Sequence, residues 1–188
     1  MPKLVVNVGG MFSGKTTELQ RQGERHILAG NKVLFIKPST DTRYLEEFIT
    51  THKGNAVKAL TIEPLDLYNH IEELMNYDVI LFDEVQFFQP NLYTIIDLLL
   101  NAGITVYASG LDLDFMGRGF ETTEKLMSLA DEVQKFKAVC ESCGADACYT
   151  GRRKGVSSKE IIKIGEKDIY KPLCRKCYKS EKLKGAIE

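Results

Sequence analysis

Lys3-Leu4-Val5-Val6-Asn7-Val8 runs without interruption into Gly9-Gly10-Met11-Phe12-Ser13-Gly14-Lys15-Thr16, and the reading of this stretch decides the fold. Residues 3–8 carry Leu4, Val5, Val6 and Val8, a short aliphatic run stopped by two glycines, which predicts a buried strand. The next eight residues match G-x-x-x-x-G-K-S/T through Gly9, Gly14, Lys15 and Thr16, with Gly10, Met11, Phe12 and Ser13 between. Such glycines let the chain curl until successive backbone N–H groups point at one anion. The helix that begins there turns its positive end to the same anion. Lys15 is expected to reach the outer phosphates of a nucleotide, and the Thr16 hydroxyl is a hard oxygen ligand for magnesium. A chance match in a glycine turn is the plainer reading, but the required context is present: a strand before and a helix after.

Working outward, residues 16–29 read as a helix closed by Gly30, and 32–37 as a second aliphatic strand. Residues 41–55 are polar and without period, and read as a mobile loop. Residues 64–76 read as a helix with Leu65, Leu67, Ile71 and Leu74 on one side. A strand follows at 79–82, a helix at 90–101 with Gly103 behind it, a strand at 104–108, a helix at 122–129 and a last strand at 132–139. Strands alternating with helices predict an α/β fold: a parallel sheet with helices on both faces. From Cys140 onward cysteines, glycines, Lys and Arg replace the aliphatic runs. The expected division is a nucleotide-binding unit over residues 1–139 and a small cysteine-bearing unit over 140–188.

Val79-Ile80-Leu81-Phe82 ends in Asp83-Glu84. In a protein with this phosphate loop, an acid at the end of a buried strand helps hold magnesium, and Asp83 is the candidate. Neighbouring residues at a strand end project to different sides, so Glu84 can face a phosphoryl acceptor and take its hydroxyl proton. A solvated acidic turn is the competing reading.

The chain has 188 residues, 44% of them hydrophobic and 27% charged, enough to bury a core and stay soluble. Lys+Arg 25 against Asp+Glu 26 leaves a net charge of -1, which argues against coating nucleic acid by bulk charge. No apolar run is of membrane-spanning length and the N-terminal residues lack the features of a signal peptide, so the expected compartment is the cytoplasm, with no membrane partner. There, thiols stay reduced, and two disulfides are the less favoured reading of the cysteines. Cys140-x-x-Cys143 and Cys174-x-x-Cys177 are two knuckle-like pairs, and four thiolates so arranged suit a closed, structural tetrahedral zinc site. Cys148 is left over as an ordinary thiol.

Taken in order, Gly10-Met11-Phe12-Ser13-Gly14-Lys15-Thr16-Thr17-Glu18-Leu19, Asp41-Thr42-Arg43-Tyr44, Asp83-Glu84-Val85-Gln86-Phe87-Phe88, Gly110-Leu111-Asp112-Leu113-Asp114-Phe115 and the two cysteine pairs resemble the type II thymidine kinases over nearly the whole chain. The resemblance implies a RecA-like P-loop fold with a small zinc-binding unit whose loop, residues 151–170, covers the nucleoside. It implies transfer of the γ-phosphate of ATP to the 5′-hydroxyl of thymidine, or of deoxyuridine, in nucleotide salvage. Glu84 would be the general base. Lys15, Thr16, Asp83 and Gln86 would serve ATP and magnesium, and Arg43 would supply positive charge at the transferred phosphate. Arg43 as a solvated loop residue stays open. Met11, Phe87, Leu111, Phe115 and Tyr170 would enclose the thymine ring. A homotetramer and feedback inhibition by thymidine triphosphate are further implications.

After Phe115 the chain departs from the bacterial pattern: Met116-Gly117-Arg118-Gly119-Phe120 stands where Arg-Gly-Glu-Pro-Phe is common, which suggests a looser loop. Two other functions fit parts of the pattern. A zinc-ribbon ATPase acting on nucleic acid would use Arg152, Arg153, Lys154, Lys171, Arg175, Lys176 and Lys179 as a basic patch. A regulatory GTPase would need a guanine-reading Asn/Thr-Lys-x-Asp motif, which the sequence lacks.

Overall fold

A computed structural model describes residues 1–39, 48–50, 56–153 and 169–183. Strand β1 (Leu4–Val8) leads into helix α1 (Lys15–Leu28), then β2 (Val33–Pro38), β3 (Phe48–Thr50) and β4 (Ala56–Ile62). A short α2 (Ile71–Leu74) precedes β5 (Val79–Phe82), α3 (Leu92–Asn101), β6 (Thr105–Gly110), α4 (Glu121–Leu129) and β7 (Glu132–Lys135). These strands form one seven-stranded sheet in the order β3-β4-β2-β5-β6-β1-β7, with only β3 antiparallel to its neighbour.

The central strands β1, β2, β5 and β6 are buried on both faces, which explains the largely aliphatic runs of β1, β2 and β5. Because side chains alternate across a strand, Leu4, Val6 and Val8 pack with Leu34, Ile36, Ile80 and Phe82 on one side. That face is covered by Leu74 of α2, Ile95, Ile96 and Leu99 of α3, and Leu126 of α4. Val5, Phe35, Leu81 and Tyr107 take the other side and pack on Leu19 of α1. The expected sheet with helices on both faces is therefore the observed one.

Three sequence readings need correction. Residues 56–62 form β4, a strand not anticipated, and 48–50 form β3 inside the stretch read as a loop. The rest of 41–55 lies outside the described residues. Residues 64–76 are not one helix. A 3-10 turn at Leu67–His70 and the four-residue α2 replace it, because His70 leaves the helical region at φ -95, ψ 3. Leu67 and Leu74 are buried, while Leu65 is exposed. The strand read at 132–139 divides after Lys135: Phe136 N–H still bonds Val8 O at 2.7 Å, but β8 (Ala138–Val139) pairs instead with β9 (Asp146–Ala147).

A second hairpin joins β10 (Tyr149–Arg152) to β11 (Tyr170–Leu173), and α5 (Arg175–Leu183) packs beside it. Its small core of Ala138, Cys140, Ala147, Tyr170, Leu173 and Tyr178 includes Phe115 from the larger sheet's side. Among the described residues, no helix is long and apolar enough to cross a membrane.

Candidate functional site

The parallel strands β1, β5 and β6 end on one edge of the sheet, and each ends in a segment singled out by its sequence. Behind β1, Gly9 takes φ 146, and a Cβ there would collide with the carbonyl oxygen of Phe136. Gly14, at φ 88, caps α1 without a side chain. Ser13 Oγ donates to Gly10 O at 2.8 Å, and Lys15 Nζ donates to the same oxygen at 2.9 Å. The curl is thus closed on itself, with Lys15 nearly buried at its centre. Phe12 sits at φ 64 and is exposed at the rim.

Thr16 opens α1 toward the end of β5. Its hydroxyl donates to Asp83 Oδ2 at 3.0 Å. Asp83 is buried, and burial together with the neighbouring Glu84 carboxylate pushes its carboxyl up to about 6. The Thr16 hydroxyl, the Glu84 N–H and Lys15 oppose that rise without cancelling it. A hydroxyl and a carboxylate 3.0 Å apart beside the glycine curl form a hard-oxygen donor set that fits magnesium.

Glu84 follows Asp83 in a left-handed backbone, φ 52 and ψ 46, unusual for a residue with a side chain. Gln86 Nε2 donates to Glu84 Oε2. Gln86 Oε1 accepts from Leu111 N–H at 3.0 Å, so the Gln86 amide spans the exits of β5 and β6.

Of the five residues expected around a thymine ring, Phe115 and Tyr170 share a cluster against which Met11 packs. Phe87 and Leu111 are half-buried at the ends of their own segments. The guanidinium of buried Arg152 lies 4.2 Å from the Phe115 ring centroid and 6.0 Å from that of Tyr170. At the 116–119 departure the backbone is held by hydrogen bonds within the turn. Asp114 Oδ1 accepts from Met116 N–H and Arg118 N–H, both at 2.8 Å, and the turn closes as a tight bend with Gly117 at φ 79. Arg43 and residues 154–168, most of the segment expected to cover the nucleoside, lie outside the described residues.

The Sγ atoms of Cys140, Cys143, Cys174 and Cys177 all lie within 4.8 Å of one another. Cys143 Sγ and Cys174 Sγ are 3.7 Å apart. Tetrahedral zinc at about 2.3 Å from each sulfur needs sulfur pairs about 3.8 Å apart, so the cluster fits that ion. Cys177 N–H points at Cys174 Sγ at 3.4 Å, as a thiolate acceptor requires. Cys148 stands outside the cluster.

Thr150 was not legible. Its Oγ1 accepts Met11 N–H at 3.0 Å and lies 3.2 Å from the place of a Gly10 Cβ, so β10 braces the phosphate loop across 139 positions of sequence. Nor was the ion pair of Lys135 Nζ with buried Asp112 Oδ2 at 2.7 Å, which ties the exit of β6 to the end of β7. Several of the basic residues of the suggested nucleic-acid patch are engaged locally. Arg153 grips Glu141, Lys171 pairs with Glu181 at 2.7 Å, and Arg175 lies over the Tyr149 ring.

Structural comparison finds a DNA replication initiation factor (14% identity, TM-score 0.44), covering 72% of this chain and 40% of that one. It also finds the replication initiator DnaA bound to AMPPCP and single-stranded DNA (14%, TM-score 0.46, covering 72% of this chain and 40% of that one). AMPPCP-bound DnaA from Aquifex aeolicus matches similarly (14%, TM-score 0.45, covering 73% of this chain and 41% of that one). The chain thus spans about two fifths of the length of those proteins, a likeness that carries nothing about chemistry. A family model is far more specific: the thymidine kinase model matches residues 2–178, from the strand before the phosphate loop through the second cysteine pair, and the chain belongs to the thymidine kinase family.

Proposed function

We propose that the chain transfers the γ-phosphate of ATP to the 5′-hydroxyl of thymidine, giving thymidine monophosphate and ADP. The observation that carries this reading is the division of labour at one strand end. Asp83 is bonded to Thr16 on the phosphate side, while Glu84 is bonded to Gln86, whose other amide end holds the Leu111 N–H behind β6. Family membership supplies the acceptor.

In this mechanism the amides of the curl and Lys15 bind the ATP phosphates. Thr16 and Asp83 would hold magnesium, which supplies positive charge to the β- and γ-phosphates. Glu84 receives the 5′-hydroxyl proton as the oxygen attacks phosphorus in line. Arg43 is assigned to the charge developing on the transferred phosphoryl group. Met11, Phe87, Leu111, Phe115 and Tyr170 are assigned to the thymine ring, a flat surface suited to aromatic and thioether neighbours. The four-cysteine cluster would hold structural zinc bracing residues 140–188 as a cover over the nucleotide-binding unit, 1–139. Action in the cytoplasm as a homotetramer, with thymidine triphosphate inhibiting at the acceptor pocket, completes the reading.

The Glu84→Gln variant tests it. Turnover is expected to fall by about 10²–10⁴-fold, the usual contribution of a positioned base, with ATP affinity nearly kept. Near-normal turnover rejects the base assignment.

A further inference from the structure

Gln86 is almost fully buried, and both ends of its amide are used. The partner on one side is the Leu111 N–H, which can only donate, so the oxygen Oε1 must face it, at 3.0 Å. That fixes the NH₂ end toward Glu84 Oε2, a carboxylate able to accept. The amide orientation therefore follows from the partners' chemistry. Reversing it would set a carbonyl against a carboxylate and a donor against a donor.

The end of β6 lies close against the amide. A Cβ on Gly110, the last residue of β6, would lie 2.8 Å from Gln86 Oε1 and 2.6 Å from Val85 Cγ2, with Val85 wholly buried. The exit of β6 thus approaches the Val85–Phe87 turn as closely as backbone allows. Glu84 itself is held in a left-handed conformation that a non-glycine residue adopts only when its surroundings impose it. A carboxylate on such a backbone has its direction set by its side-chain partners.

We infer that Gln86 is a positioning residue on the acceptor side of the site: it aims the Glu84 carboxylate and fixes that aim to the Leu111 backbone, where the nucleoside-facing segment begins. The inference rests on the assignment of Glu84 as the base. It places Gln86 away from the ATP and magnesium set to which the family resemblance attached it.

A double-mutant cycle tests it on the full-length protein, with kcat and both KM values measured for wild type, Gln86→Met, Glu84→Gln and the double variant. Methionine keeps the side-chain length and removes both hydrogen bonds. Gln86→Met is expected to lower kcat on the order of 10²-fold, the scale of a misplaced reacting group, with the KM for ATP within about twofold of wild type. In the Glu84→Gln background the same change should cost nothing further, because no base remains to be aimed. An equal loss in both backgrounds overturns the inference, as does a raised KM for ATP with kcat kept. Near-wild-type turnover by Glu84→Gln alone is a different failure: it removes the base assignment and this inference with it. A melting curve establishes folding. Should Gln86→Met not fold, Gln86→Asn, one methylene short of spanning both partners, enters the same cycle under the same criteria.

Discussion

Asp83 shows what a single residue contributes and what it demands. Its carboxyl is raised from the ordinary 3.8 to about 6 by burial and by the Glu84 carboxylate beside it. The folded chain therefore holds that proton more tightly than the unfolded chain does. Stability is unpenalised below the unfolded value, falls as pH rises between about 4 and 6, and stays lower above. For protein free of nucleotide and divalent metal, Asp83→Asn is expected to raise the melting temperature by a few degrees at pH 7.5 and by less at pH 4.5. Phosphotransfer should be lost in the same variant. Thermal denaturation at the two pH values checks it, and an unchanged or lowered melting temperature at pH 7.5 contradicts it. At this scale the phosphate loop and the strand-end acids were legible, since each lies within a short local pattern. Thr150 and Lys135 were not, because their partners Met11 and Asp112 lie far away in sequence and nothing local marks them.

At the scale of elements, α5 fixes the turn that carries Phe115. Tyr178 Oη donates to Phe115 O at 2.8 Å, and Lys182 Nζ donates to Met116 O at 3.1 Å. Inside the turn, Asp114 takes up two backbone N–H groups. Tyr178→Phe leaves the buried Phe115 carbonyl without that donor, a loss of about 1–3 kcal/mol. The KM for thymidine is expected to rise several-fold while that for ATP holds. Steady-state kinetics with each substrate varied checks this, and equal KM values for wild type and variant contradict it. Strands β1, β2 and β5 were readable because burial on both faces writes runs of mostly aliphatic residues, and β6 because Ile104, Val106, Tyr107 and Ala108 follow the turn at Gly103. Strand β4 was not, since Ala56-Val57-Lys58-Ala59-Leu60-Thr61-Ile62 contains no such run, and its place beside β2 is settled by tertiary pairing. The helix read at 64–76 failed for a related reason. Leu67 and Leu74 are buried without a continuous helix between them.

For the whole molecule, the parallel α/β architecture followed from the alternation of elements, but the position of β6 between β1 and β5 did not. That order depends on which strand edges meet once the helices are packed. The cysteine pairs were readable because zinc ligation has a fixed chemistry and spacing. The two hairpins and α5 enclose only a small apolar core, so the metal is expected to carry much of their stability. After chelation, hydrogen exchange should accelerate in residues 138–153 and 169–183 and stay slow in the strands at 4–8, 79–82 and 105–110. Unchanged protection in the hairpins would refute a structural role for the metal.

Every residue role assigned above depends on the reaction itself. Incubating the protein with ATP, magnesium and an equimolar panel of nucleosides, followed by mass spectrometry of the products, tests it most directly. Thymidine monophosphate is expected as the dominant phosphorylated nucleoside, formed with an equal amount of ADP. ADP and inorganic phosphate with no phosphorylated nucleoside would contradict it.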